Sequence, residues 1–185
     1  MSQIVEKARL RKQFLDSRES LSLDYIQIAS SKIQERLRRI DYYRSAKSIG
    51  AYHAIGSEVR TQPILQEILN AGKELALPRV DKKDIVFKKI ANFSDLEMGN
   101  FSVMEPKERC EAIEKLDVIL VPAIALARDG YRLGYGFGYY DRYLQGKHSK
   151  KIALSYHKQV VKSIPHDDHD VKMDCIVTED DLIYS

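Results

Sequence analysis

Residues able to do chemistry gather in one stretch: Arg132, Leu133, Gly134, Tyr135, Gly136, Phe137, Gly138, Tyr139, Tyr140, Asp141 and Arg142. An apolar run from Val118 to Val121 precedes it and reads as a buried strand, and Asp129-Gly130 marks a turn. A helix is expected to open at Tyr139. Strand, glycine-rich loop and helix together present backbone N–H groups to an anion, most often phosphate. Glycine suits the loop because a Cβ would block both positive φ and the close approach of a ligand. Two common versions are excluded by counting. No Lys-Ser/Thr pair follows Gly138, so the stretch is not a P-loop. In a dinucleotide fingerprint the third glycine falls three positions after the second; here Gly138 falls two after Gly136, and no acid near the end of the Ile152–Leu154 run stands ready for a ribose. An ordinary turn using glycine for geometry alone is the competing reading.

Other candidates are scattered along the chain. Lys7 and Arg11 are four apart, so on a helix they share a face within reach of one anion; a solvated basic face is the alternative. His53 and Glu58 stand on a loop between a strand and a helix, the edge where open α/β sheets bind ligands. Either could equally be an ordinary loop residue. The run His166-Asp167-Asp168-His169-Asp170 suggests zinc, but no cysteine is spaced to complete a structural site. A solvated charged loop is a second reading. A third brings one of its aspartates to Asp141 across the glycine loop, where two carboxylates, waters and phosphate oxygens would hold Mg²⁺. Spacing alone does not choose among these. Arg79 and Arg142 are weaker phosphate candidates, a surface ion pair being the equal alternative for Arg79, and Asp174 is a rival metal ligand.

The elements that must position these residues follow from periodicity. A helix is expected from Ser2 as cap to about Asp16, and a second from Leu23 to Ile40 capped by Ser22. Ser48–Tyr52 reads as a strand, followed by a helix with Thr61 as cap, Pro63 in its first turn and Gly72 at its end. Further strands are expected at Glu74–Leu77, Ile85–Ile90 (near an edge), Asp117–Val121, Ile152–Ser155 and Cys175–Val177. Ala91–Pro106 reads as a long surface loop with a turn at Gly99-Asn100; Glu108–Lys115 and His157–Ser163 read as short helices. Strands alternating with helices predict α/β architecture: one three-layer α/β/α domain over residues 1–185 with a mostly parallel central sheet.

Composition sets outer bounds. Of 185 residues, 44% are hydrophobic and 31% charged, as in an ordinary globular domain. The net charge of +3 is too mild to argue for nucleic acid and suits a small anionic ligand. Cys110 and Cys175 form no metal or disulfide pattern, so a reducing cytoplasm is expected. The charged N-terminus predicts neither a signal peptide nor a membrane span.

Read together, these pieces resemble the 5-formyltetrahydrofolate cyclo-ligase (methenyltetrahydrofolate synthetase) family. Four blocks match in order: Lys7-x-x-x-Arg11; Tyr52 to Thr61 with Glu58; Val121-Pro122 followed by Arg132 to Arg142; and Ile164-Pro165, His169-Asp170, Asp174 and Val177-Thr178-Glu179. Phe137 fills a position that varies in the family, commonly Gly or a basic residue. The resemblance implies ATP-dependent cyclisation of 5-formyltetrahydrofolate. It places ATP on Lys7, Arg11 and the loop from Arg132 through Tyr140, and folate on His53, Glu58 and residues Tyr135 to Tyr139. It gives Mg²⁺ to Asp141 and Asp170, and assigns no general acid or base. A monomer is expected, with no nucleic-acid or membrane partner. The competing function is a non-catalytic nucleotide-binding module on the same fold.

Overall fold

A computed structural model describes residues 3–99 and 102–185. The expected Ser2 cap and the Asn100 half of the expected turn lie outside the described residues. The strands are β1 (Ser48–Gly50), β2 (Glu74–Asp81), β3 (Asp84–Ile90), β4 (Leu96–Met98), β5 (Met104–Pro106), β6 (Val118–Pro122), β7 (Ala125–Ala127), β8 (Arg132–Leu133), β9 (Lys150–Leu154), β10 (Val160–Val161), β11 (Cys175–Val177) and β12 (Leu182–Tyr184). The helices are α1 (Gln3–Glu19), α2 (Leu23–Leu37), α3 (Asp41–Ser45), α4 (Gln62–Asn70) and α5 (Tyr139–Leu144).

The main sheet runs β12-β11-β9-β6-β1-β2-β3. Its five inner strands pair in parallel, and β3 and β12 close the edges antiparallel. The mostly parallel α/β sheet expected from the alternation of strands and helices is therefore present. Strand periodicity divides its side chains between two cores. Ile49, Leu75, Leu77, Val118, Leu120, Ile152 and Leu154 face the helices α2 and α4, where Ile33, Leu37, Ile64 and Leu65 are fully buried. Ala76, Ile119, Val121, Ala153 and Ile176 face the other way, toward Phe87, Leu144 and the tyrosines of α5. On this second face Gly50 lets Phe87 and Leu116 come close: a Cβ there would sit 2.8 Å from both side chains.

Several local expectations are corrected. The second helix ends at Leu37 rather than Ile40, and α3 follows it. The segment expected as a helix from Glu108 to Lys115 is extended instead. Lys89 N–H donates to Glu111 O and Ile113 N–H to Phe87 O, so this segment satisfies the free edge of β3. Ala91–Pro106 holds the β4–β5 hairpin within the expected loop. His157–Ser163 is a single 3₁₀ turn leading into β10. A second, small sheet of β10-β7-β8 was not expected. It packs Ile124, Ala125, Ala127 and Leu133 against Phe14 of α1. That contact ties the N-terminal helix to the strand that feeds the glycine loop. No helix among the described residues is long and apolar enough to cross a membrane.

Candidate active site

β1 has β2 on one side and β6 on the other, so the chain leaves the carboxyl ends of β1 and β6 in opposite directions. Open α/β sheets form their ligand crevice at such a point. Two cavities fill it here, and they share a wall of Pro122, Tyr135, Phe137, Tyr139 and Tyr140.

The first, of about 380 Å³, is apolar and aromatic and reaches Tyr52, His53, Pro78 and Met104. Two buried carboxyls border it, Glu58 and Glu105. Glu58 accepts a 2.9 Å hydrogen bond from the Tyr135 hydroxyl and a 3.0 Å bond from Ile55 N–H. Burial pushes the Glu58 carboxyl above its usual range, although Ile55 N–H, Arg18 and Tyr135 oppose the shift. Burial also raises Tyr135, to about 12, with Glu58 adding to the effect. Burial lowers the His53 imidazole below its usual range. The loop that carries His53 and Glu58 is tied by Thr61. Its expected side-chain cap is not made. Instead its buried hydroxyl donates to Tyr52 O at 2.7 Å and accepts from Ala54 N–H at 3.0 Å. Thr61→Val keeps the shape and leaves both backbone groups unpaired, which should cost about 2–4 kcal/mol. A melting temperature lower by roughly 5–10 °C is expected by differential scanning calorimetry, and an unchanged value would contradict this role.

The second cavity, about 260 Å³, lies on the other side of the shared wall. It is lined by Lys7, Arg11, Arg132, Asp141, Asp170 and the loop from Leu133 to Gly138. Every residue expected at the nucleotide and the metal is therefore on one cavity. Arg11 Nε donates to Gly134 O at 2.8 Å, and its guanidinium lies against Gly136, where a Cβ would come within 3.3 Å. Gly136 and Gly138 take φ of +98° and +69°, so the loop needs glycine at both. Arg132 is nearly buried and pairs with Asp141, Nη2 to Oδ2 at 2.9 Å, while its Nε and Nη2 complete no hydrogen bond within the protein. Asp141 Oδ1 accepts from Val171 N–H at 3.2 Å. Lys7 Nζ contacts Asp170 at 2.6 Å and Asp167 at 3.3 Å. Burial opposes the Lys7 charge, but the two aspartates outweigh it and hold the ammonium above its usual pKa.

The weaker candidates fall elsewhere. Arg79 pairs with Glu97 and Glu108 against the β4–β5 hairpin. Arg142 clamps the loop end, donating to Phe137 O and holding Asp84 and Lys83 O at the β2–β3 turn. Asp174 is at the opposite, amino end of β11, engaged with Lys150 and Lys151. His166 stacks on Tyr131 at 3.5 Å and its Nδ1 meets Ile164 O. No group of three or more His, Cys, Asp or Glu gathers for a metal among the described residues, so the zinc reading gains nothing. Sequence reasoning missed Arg18, which is buried and holds the Tyr135 hydroxyl, and Glu105. An arginine's burial has no local signature; Arg18 does share a helix face with Lys7 and Arg11.

The family profile described as the 5-formyltetrahydrofolate cyclo-ligase family matches residues 3–179. The chain belongs to that family. A solved structure titled as 5,10-methenyltetrahydrofolate synthetase of Aquifex aeolicus superposes with a TM-score of 0.86 at 34% identity, covering 96% of this chain and 92% of that one. The 5-formyltetrahydrofolate cyclo-ligase of Escherichia coli is 30% identical over 142 residues, 72% of this chain and 78% of its own. That of Saccharomyces cerevisiae is 29% identical over 96% of this chain and 97% of its own. The cyclo-ligase family is a family of enzymes, and its match spans α1, the switch-point crevice and the glycine loop alike.

Proposed function

We propose that this chain converts 5-formyltetrahydrofolate to 5,10-methenyltetrahydrofolate, with ATP becoming ADP and phosphate. One observation carries the reading: a single glycine-rich wall separates an aromatic cavity bearing a carboxyl from a cavity lined by cations and loop N–H groups. A pterin has a flat face for aromatic rings and an amino edge for a carboxylate. A triphosphate has oxygens for Lys7, Arg11, Arg132 and the loop amides.

The formyl group on N5 is an amide, so resonance makes its carbon a poor electrophile. Its oxygen is also a poor leaving group. Transfer of the γ-phosphoryl group to that oxygen cures both faults. N10 then attacks the activated carbon, phosphate departs with the formyl oxygen, and N10 loses its proton. The chain's task is positioning and charge neutralisation. Arg11, held by Gly134 O, and Lys7 bring positive charge to the phosphates. Arg132 lines the same cavity, and its guanidinium suits a phosphate oxygen. Glu58, fixed by Tyr135 and Ile55, orients the pterin. The apolar wall keeps water from the activated formyl carbon.

Asp141 and Asp170 are hard oxygen donors on the cavity that would take the phosphates, which fits Mg²⁺. Bound there, the ion would neutralise charge on the transferring group. Arg132 pairs with Asp141 and Lys7 with Asp170.

Mixing the protein with 5-formyltetrahydrofolate, ATP and Mg²⁺ should generate the near-ultraviolet absorbance of the methenyl product. ATP binding with no turnover of this folate would favour the non-catalytic nucleotide module. Gly136→Ala places a Cβ at φ +98° and against Arg11, a strain of about 1–3 kcal/mol. Its kcat/KM for ATP is expected to fall roughly tenfold; an unchanged value in steady-state kinetics would contradict the loop's role.

A further inference from the structure

α1 lines one cavity and braces the wall of the other. Lys7 and Arg11 line the cation-rich one. Seven residues beyond Arg11, at two helical turns and on the same face, Arg18 holds Tyr135, which lines both. Arg18 is 5% exposed. Its Nη2 donates to the Tyr135 hydroxyl at 2.8 Å, its Nε to Ser57 Oγ at 3.1 Å and its Nη1 to Ala123 O at 3.4 Å. These partners sit on the glycine loop, on the Glu58 loop and just past β6. Arg18 thus joins three of the segments around the aromatic cavity.

The chemistry of these groups fixes a direction. A guanidinium can only donate. The Tyr135 oxygen therefore accepts from Arg18, and its one proton is sent to Glu58 Oε1. The chain Arg18, Tyr135, Glu58 is polarised from helix to carboxylate, and the rotamer of Glu58 depends on a residue that touches no substrate in the reading above. A buried arginine costs desolvation, which a merely structural contact at this site would not require.

We propose that Arg18 is a positioning residue that couples the two cavities: drawing α1 onto a triphosphate through Lys7 and Arg11 sets Tyr135 and Glu58 for the folate. This rests on the function proposed above. Linkage makes the effect reciprocal, so folate must tighten the nucleotide by the same factor.

The test is a thermodynamic cycle by isothermal titration calorimetry. Affinity for 5-formyltetrahydrofolate is measured with and without a non-hydrolysable ATP analogue and Mg²⁺, in wild type, Arg18→Met, Arg18→Lys and Tyr135→Phe. Wild type should bind folate about tenfold tighter with the analogue present. In Arg18→Met and Tyr135→Phe that factor should fall to about one, and in Arg18→Met analogue affinity in the absence of folate should stay unchanged. Arg18→Lys, able to reach a single partner, should recover part of the coupling. Tyr135→Phe keeps the arginine and so answers the question even where Arg18→Met fails to fold. Retention of the full coupling factor in Tyr135→Phe, or equal loss of folate and analogue affinity in a folded Arg18→Met, would overturn the proposal. A wild-type protein that binds the analogue but no folate would overturn the functional reading, and this proposal with it.

Discussion

Glu58→Gln is expected to lower kcat/KM for 5-formyltetrahydrofolate by roughly 10²- to 10³-fold, the cost of removing one member of a buried charge-assisted hydrogen-bond pair. Nucleotide affinity measured without folate should stay within about twofold, because Glu58 does not line the cation-rich cavity. The same substitution should weaken the pH dependence of the unliganded protein's stability. Burial raises the folded-state pKa of Glu58 above its unfolded value. A group shifted in that direction contributes stability that is present below the unfolded pKa and lost as pH rises through the folded one. A glutamine does not ionise, so the melting temperature of Glu58→Gln should fall less than that of wild type as pH rises from about 4. A variant with the wild-type pH dependence of melting, or that retains wild-type folate kinetics, would contradict this assignment.

Asp141→Asn should destabilise the unliganded protein. The Arg132 side chain is 5% exposed, and Asp141 is its ion-pair partner. Removing the negative charge strands a buried guanidinium, which should cost about 2–4 kcal/mol, the lower part of the range for such pairs because Asp141 is itself partly exposed. The melting temperature should drop by roughly 5–10 °C. The proposed metal-binding role adds a second loss, roughly 10²-fold in kcat/KM for Mg²⁺-ATP, with folate affinity little changed. Titrating Mg²⁺ separates the two effects. Excess metal should restore part of the activity but none of the unliganded stability. Unchanged nucleotide affinity and an unchanged rate would defeat the role of Asp141.

Much of this architecture could be read from periodicity. The alternation in Val118–Val121 and Ile152–Leu154 corresponds to side chains divided between the two faces of the sheet. Glycines at 136 and 138 correspond to positive φ, which few other residues tolerate. Elements of two or three residues were not legible. β7, β8 and β10 are too short to show a period, yet they carry Arg132 to its position. Glu108–Lys115 has helix-forming composition, but the open edge of β3 claims its backbone, a long-range demand that no local window contains. The same holds for charges. Arg79 looked like a phosphate ligand at a strand end and instead meets acids far along the chain. Arg18 falls past the helix end expected at Asp16, yet α1 runs on to Glu19 and buries it against Tyr135. Residue type and spacing located the glycine loop and its cations; which cations face the site depended on tertiary packing.

The central claim is that the terminal phosphoryl group of ATP is transferred to the formyl oxygen. The most direct measurement labels that oxygen with a heavy isotope in 5-formyltetrahydrofolate and follows it by mass spectrometry of the phosphate released with ATP, Mg²⁺ and this protein. Phosphate carrying the label in step with methenyl product is predicted. Product formed alongside unlabelled phosphate would contradict the account.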